Sequence, residues 1–196
     1  MRRSLIDNGI GVLNTPDTAY SASLVEQFPA VALDNGCFSA KWDAAKWTDW
    51  LATQAPGALF AVVPDVVADA DGTLARWSQW APTVVDAGHV PAFVLQDGQE
   101  VRDVPWSECG AVFVGGSTAW KLSQHAERLV REAKRRGKWA HMGRVNSRRR
   151  LALAASWGCD SADGTFLAFG PDVNASRLVN MVRSVATQST LFGGAA

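Results

Sequence analysis

Cysteine is scarce in this 196-residue chain. Cys37, Cys109 and Cys159 are odd in number and form no CxxC pair, which argues against a disulfide framework. Histidine is equally sparse at three, and none has Cys or Glu at ligand spacing, so no metal centre and no zinc hydrolysis are expected. No apolar run approaches the roughly 18 residues that mark a membrane span. Met1-Arg2-Arg3-Ser4 is basic but leads into Asp7, Asn8 and Gly9 instead of an apolar signal core, so a cytoplasmic protein with no membrane partner is expected. No internal repeat and no low-complexity tract is visible. Neither a Rossmann nor a Walker phosphate-binding pattern occurs in its required context, and no cofactor is implied. Net charge is absent too, at a formal value of zero.

That neutrality conceals a division. Residues 1–110 hold 14 acidic against 6 basic side chains, and residues 111–196 hold 5 against 13. Such a split provides a basic face for phosphates and an acidic face that repels them; attraction between the halves within the fold is the alternative. Apolar residues form 47% of the chain, enough for a core in one domain spanning residues 1–196.

Short apolar segments recur at Val31-Ala32-Leu33, 58–63, 92–95, 111–114, Trp139-Ala140 and near Cys159. Most lack strict polar alternation, as parallel strands covered on both faces do. Between them the pattern predicts helices over 40–53, 73–87, 120–136, 147–157 and 174–186. This β-then-α rhythm predicts a parallel sheet with right-handed crossovers. A full barrel takes about 250 residues, so the expected fold is a compact or trimmed TIM-like (β/α) barrel, with an open parallel α/β sheet as the alternative. The tail Gly193-Gly194-Ala195-Ala196 is expected to fray.

In parallel α/β folds the loops after the strands converge on one face, where ligands bind. That face should receive Asp34, Asp65, Gln96, Asp97, Gly115, Gly116, His141, Asp160 and Asp163. Asp34 suits proton transfer if neighbours tune it, or it caps an Asn-Gly turn. Asp65 follows Pro64 and suits acceptance of N–H groups from a base ring, while Asp69 and Asp71 suit a helix start. Gln96 offers an amide for a base edge. Gly115 and Gly116 allow backbone to approach a ligand closely. Either Asp160 or Asp163 is chemically able to attack an anomeric carbon as its base departs, with Asp34 assisting departure as in retaining glycoside chemistry.

His141 is a candidate hydrogen-bonding group, although a lone histidine after a strand is commonly structural. Arg144, Arg148 and Arg149, with Arg150, form the basic group expected to grip phosphate; Lys134 to Lys138 precede a strand and belong at the opposite end. Most of the nine tryptophans recur at helical spacing and read as packing. Trp120, beyond Gly115-Gly116-Ser117, is better placed to stack on a base.

In order along the chain, these segments resemble the queuine/archaeosine tRNA-guanine transglycosylase family, especially its relatives that insert 7-deazaguanines into DNA. Leu33-Asp34-Asn35-Gly36-Cys37-Phe38 is similar to the family's Asp-Ser-Gly-Gly-Phe segment, departing at Asn35 and Cys37. Pro64-Asp65 resembles its base-recognising aspartate, Val94-Leu95-Gln96-Asp97-Gly98 its Val-Gln-Gly-Gly segment, and Val114-Gly115-Gly116 its glycine stretch. His141-Met142-Gly143 looks like its Leu-Met-Gly strand end. Gly158-Cys159-Asp160-Ser161-Ala162-Asp163 matches its Gly-Ile-Asp-x-Phe-Asp segment.

The resemblance implies Asp163 as nucleophile, Asp34 as the proton-transfer residue, and Asp65, Gln96 and Gly116 as base-binding groups. It implies exchange of guanine for a free purine or 7-deazaguanine such as preQ0 through a covalent sugar intermediate. Family members acting on tRNA carry a Cys-rich zinc site and an insertion after the nucleophile. Neither appears here, so DNA is the expected partner, with RNA as the alternative. Three other readings stay open: an N-glycosidase hydrolysing a nucleotide, nucleoside or modified base; another barrel enzyme, acting on a phosphorylated small molecule; and a binding module without chemistry.

Overall fold

A computed structural model describes residues 2–18, 20, 22–39 and 42–192; the expectation for the 193–196 tail lies outside them. The described elements are α1 (Arg2–Ile6), β1 (Val12–Asn14), α2 (Ala22–Val25), β2 (Val31–Leu33), α3 (Ala44–Ala52), β3 (Ala61–Val62), α4 (Ala70–Asp86), β4 (Pro91–Leu95), a 3₁₀ turn at Val101–Asp103, β5 (Ala111–Val114), α5 (Thr118–Lys121), α6 (Gln124–Arg135), β6 (Trp139–Met142), α7 (Arg148–Trp157), β7 (Ser161–Ala162) and α8 (Pro171–Phe192). The seven strands pair in chain order, every pair parallel. The sheet curls into an open half-barrel, as a trimmed TIM-like arrangement requires.

Local chemistry sets the helix starts. Asp69 accepts from Gly72 N at 2.9 Å to open α4, Ser123 caps α6, and Ser147 caps α7, each satisfying an otherwise unpaired first-turn N–H. Asp43 caps α3 in the same way, leaving Trp42 outside that helix. The stretch expected as one helix over 120–136 is broken into α5 and α6 because Ser123 starts afresh. Gly158, with φ 90°, ends α7 in the left-handed conformation that suits glycine.

Strand residues sort into two layers with a period of two. Leu33, Ala61, Val63, Phe93, Leu95, Val112, Val114, Ala140 and Met142 face the helices and meet Trp47, Trp77, Leu129 and Val130. Ala32, Phe60, Val62, Ala92, Val94 and Ala111 face inward, with Leu13, Phe113 and Trp139 packed beside them. Burying each large apolar side chain in these layers contributes about 1.5–3 kcal/mol. Strand β1 offers only Val12 and Leu13 as apolar residues, between Gly11 and Asn14, which is why it is absent from the sequence-based pattern.

Strands β1 and β7 are not paired with each other. Between them lies a mainly apolar seam cavity of about 320 Å³, reached by Val12 and Leu13 on one side and Ser161 to Gly164 on the other. Helix α8 closes over this side, burying Ala175 and Val179 against Leu5 of α1. Among the described residues no helix is long and apolar enough to cross a membrane.

Candidate active site

The inward layer continues past the strand ends and becomes the site. Val94, Phe113, His141 and Ser161 are register partners across β4 to β7. Two residues further on, the same parity brings Gln96, Gly115, Gly143 and Asp163 to the carboxyl end. Backbone bonds Gly115 N to Leu95 O (3.0 Å), Gly143 N to Val114 O (3.2 Å) and Asp163 N to Met142 O (3.2 Å) carry the ladder to that level. A pocket of about 140 Å³ opens here, lined by Asp34, Asn35, Phe38, Asp65, Gln96, Gly115, Gly116, Arg144 and Asp163, with Val62, Val94 and Phe113 among its apolar walls.

The glycines are spatial necessities. A Cβ on Gly115 would lie 2.7 Å from Val94 Cγ1 and 3.1 Å from Gln96 Nε2. One on Gly116, whose φ is 70°, would lie 2.6 Å from Asp97 Oδ2 and 2.8 Å from Trp120. Asp97 itself accepts from Ser117 N (2.6 Å) and Ser117 Oγ (2.5 Å), tying down the β5–α5 loop. Trp120 packs beneath this turn and is not among the residues lining the pocket.

Asp65 is the best-held carboxylate. Its Oδ1 accepts from Asn35 Nδ2 at 2.8 Å and its Oδ2 from Gln96 Nε2 at 2.5 Å, while Gln96 Oε1 accepts from Ala68 N at 2.9 Å. Arg76 donates to the Asp65 carbonyl at 2.6 Å and lies over Trp42 at 4.8 Å. Burial raises the Asp65 carboxyl above the usual carboxylate range, opposed by those amide bonds and by the Arg76 charge.

Asp34 has its acidity set by burial first and then by the charges of Asp163 and Asp65, which together push it up to about 7 against the backbone N–H groups of Asn35 and Gly36. A carboxyl poised near neutrality can both give and take a proton.

Asp163 follows β7 at once. Its Oδ1 accepts from Arg144 N at 3.1 Å and lies 3.1 Å from His141 Nε2. Arg144 adopts φ 58°, donates from its guanidinium to Gly116 O, and covers the Phe38 ring at 4.5 Å. Lys121, fully buried, donates to Gly143 O at 2.6 Å and so fixes the same turn; burial and the Arg144 charge lower its ammonium to about 8. Nothing in the local pattern singles out Lys121, since a lysine on a short helix normally reads as solvated. Asn35, Arg76 and Ser161 likewise act through partners distant in the chain.

The other candidates are dispersed. His141 sits one layer below the pocket, not among its lining residues, and faces the seam cavity. Arg148 donates to Ser184 of α8 at 3.0 Å. Arg149 and Arg150 line a separate depression with Leu122 and Ser156. Asp160 lies at the opposite end of β7 from Asp163, held by Lys134 at 2.6 Å and by Ala140 N at 2.8 Å. Asp160→Asn is therefore expected to lower stability by about 1 kcal/mol and to leave turnover unchanged, read by urea unfolding beside the assay described below. Among the described residues no group of three or more His, Cys, Asp or Glu side chains is placed to hold a metal ion.

No family model and no curated protein matches the chain. Solved structures do. A native KDPGal structure shares 12% identity, covering 97% of this chain and 88% of the other with a TM-score of 0.62. The BexX/CysO complex of Amycolatopsis orientalis shares 14%, covering 100% and 86% with a TM-score of 0.57. These likenesses show a TIM-barrel-like fold and do not single out the transglycosylase family. In that fold, the loops after the strands are where chemistry is carried out.

Proposed function

We propose that this protein is a pentosyltransferase that exchanges guanine in nucleic acid, with DNA as the substrate, for a free 7-deazaguanine such as preQ0. The observation that carries this reading is the presence of Asp34 and Asp163 in one pocket, with Asp34 raised to about 7. An ionised Asp163 attacks C1′ of the sugar as the C1′–N9 bond breaks, and the bonding pair leaves with the base. Asp34 gives that base its proton. An ester between Asp163 and C1′ remains. The incoming base then loses its ring N–H proton to Asp34, its nitrogen bonds to C1′, and the ester oxygen departs, regenerating Asp163.

The pocket's size supports this assignment. At about 140 Å³ it falls below the roughly 300–1,000 Å³ of drug-sized sites, which suits one base with its sugar at the rim. A target in duplex must therefore leave the stack. Asp65 is an acceptor for base N–H groups, Phe38 and Phe113 offer flat apolar walls, and Arg144 supplies positive charge beside Asp163. Arg148 and Arg149 would serve a phosphate path only outside the pocket rim.

The test is incubation with labelled preQ0 or guanine and either DNA or RNA, following both incorporated and released base. Incorporation into DNA supports the proposal. Release without incorporation establishes an N-glycosidase instead, and neither product ends the reading.

A further inference from the structure

We infer that Trp139, Ser161 and His141 form a positioning device for Asp163, holding Oδ1 so that Oδ2 is the oxygen presented to the reacting carbon. This rests on the reading of Asp163 as the nucleophile.

The chain of bonds starts at the indole. Trp139 Nε1–H donates to Ser161 Oγ at 2.8 Å, and the same oxygen lies 2.8 Å from His141 Nδ1. The hydroxyl keeps its own proton to give while accepting from the indole, and because the Asp163 carboxylate facing Nε2 can only accept, Nδ1 is the ring nitrogen that accepts from Ser161. Neutral histidine then carries its proton on Nε2, and that proton points along the 3.1 Å contact to Asp163 Oδ1. Arg144 N–H gives the same oxygen a second donor at 3.1 Å. Among the described residues Oδ2 receives no hydrogen bond. The two carboxylate oxygens are thus made unequal.

The ring itself cannot turn away. His141 is only 4% exposed, stacked on Phe113 at 4.7 Å and edge-on to Phe60 at 5.3 Å. These aromatic walls and the strand register keep its nitrogens on the Ser161–Asp163 line. Since His141 does not line the mouth pocket, it acts on the reaction through Asp163 and not on the base. A small rotation of Asp163 would move the attacking oxygen off the sugar carbon, and errors of this kind reduce chemistry steeply while sparing binding.

The experiment combines histidine nitrogen NMR with kinetics on the full chain. With three histidines, the His141 signals are assigned by their loss in His141→Gln. The expected spectrum shows the Nε2–H tautomer with Nδ1 as acceptor, and Ser161→Ala should turn it into a tautomer mixture. In the exchange assay, His141→Phe keeps the aromatic packing but should lower kcat roughly 100-fold with KM unchanged, while His141→Gln, whose amide replaces the Nε2 donor, should recover to within about tenfold of wild type. An Nδ1–H tautomer, or a Ser161→Ala spectrum identical to wild type, overturns the device without needing His141→Phe to fold. Full kcat in His141→Phe overturns it as well. A wild-type chain that performs no base exchange sinks the proposed function alone, and the tautomer measurement still decides the positioning of Asp163.

Discussion

Asp163→Asn is expected to abolish base exchange, lowering kcat on the order of 10⁴-fold, because an amide cannot form the ester to C1′. The substitution is close to isosteric, and the local structure accommodates it. Arg144 N–H and His141 Nε2–H both point at Oδ1, and an asparagine oxygen accepts from either. Backbone bonds Val145 N to Asp163 O and Asp163 N to Met142 O do not involve the side chain. Loss of activity should therefore come without loss of fold, and nucleic acid should still bind. Trapping separates this from a merely electrostatic role: wild-type protein given DNA without free base should accumulate a protein–DNA adduct that withstands denaturation, and the variant should form none. Near-normal turnover by Asp163→Asn would remove the nucleophile and with it the proposed chemistry.

Comparison with Asp160 shows how far local sequence reaches. Both aspartates flank the two-residue strand β7, and pattern alone makes either an acceptable nucleophile. The fold puts them at opposite ends of that strand, where Asp163 faces the pocket and Asp160 meets Lys134 of α6. The gathering of strand-end loops was legible, since it follows from the parallel βα order. The inward parity was not, because segments without strict alternation show it only through the register of β4 with β5, which sets Val94 beside Phe113 and so Gln96 beside Gly115. Less was legible where tertiary contacts decide. His141 steps by two to Gly143, and that glycine is required because a Cβ would lie 2.6 Å from Phe113 Cε1. This makes His141 a member of the layer beneath the site, a depth that only register with Phe113 and Ser161 defines. Arg148 meets α8, whose approach depends on an unpaired seam between β1 and β7 that no local pattern encodes. Lys121 is buried because Gly143 O needs a donor there, a demand created by a turn 22 residues away.

Asp34→Asn is expected to have two opposite effects. Exchange should fall roughly 10²- to 10⁴-fold through loss of the acid–base group. The pH dependence identifies it further. Formation of the sugar ester needs protonated Asp34, so its single-turnover rate should fall as pH rises above about 7. Transfer to the incoming base needs the carboxylate, so that rate should rise towards a plateau above the same pH. In the variant neither limb should titrate there.

Stability moves the other way. The folded pKa of Asp34 lies near 7, above the ordinary 3.8, so the native state holds a proton that the unfolded chain has released between those values. Stability relative to a neutral side chain is thus greatest at low pH and declines as pH rises through about 7. Above that point the wild type retains an ionised, mostly buried carboxylate beside Asp65 and Asp163, at a cost on the order of 4 kcal/mol. Asparagine carries no such charge, and its stabilising effect in urea unfolding should be larger at pH 8 than at pH 5 by roughly 3 kcal/mol. Equal effects at the two pH values would mean that Asp34 is ionised throughout, and an ionised Asp34 has no proton to give the departing base.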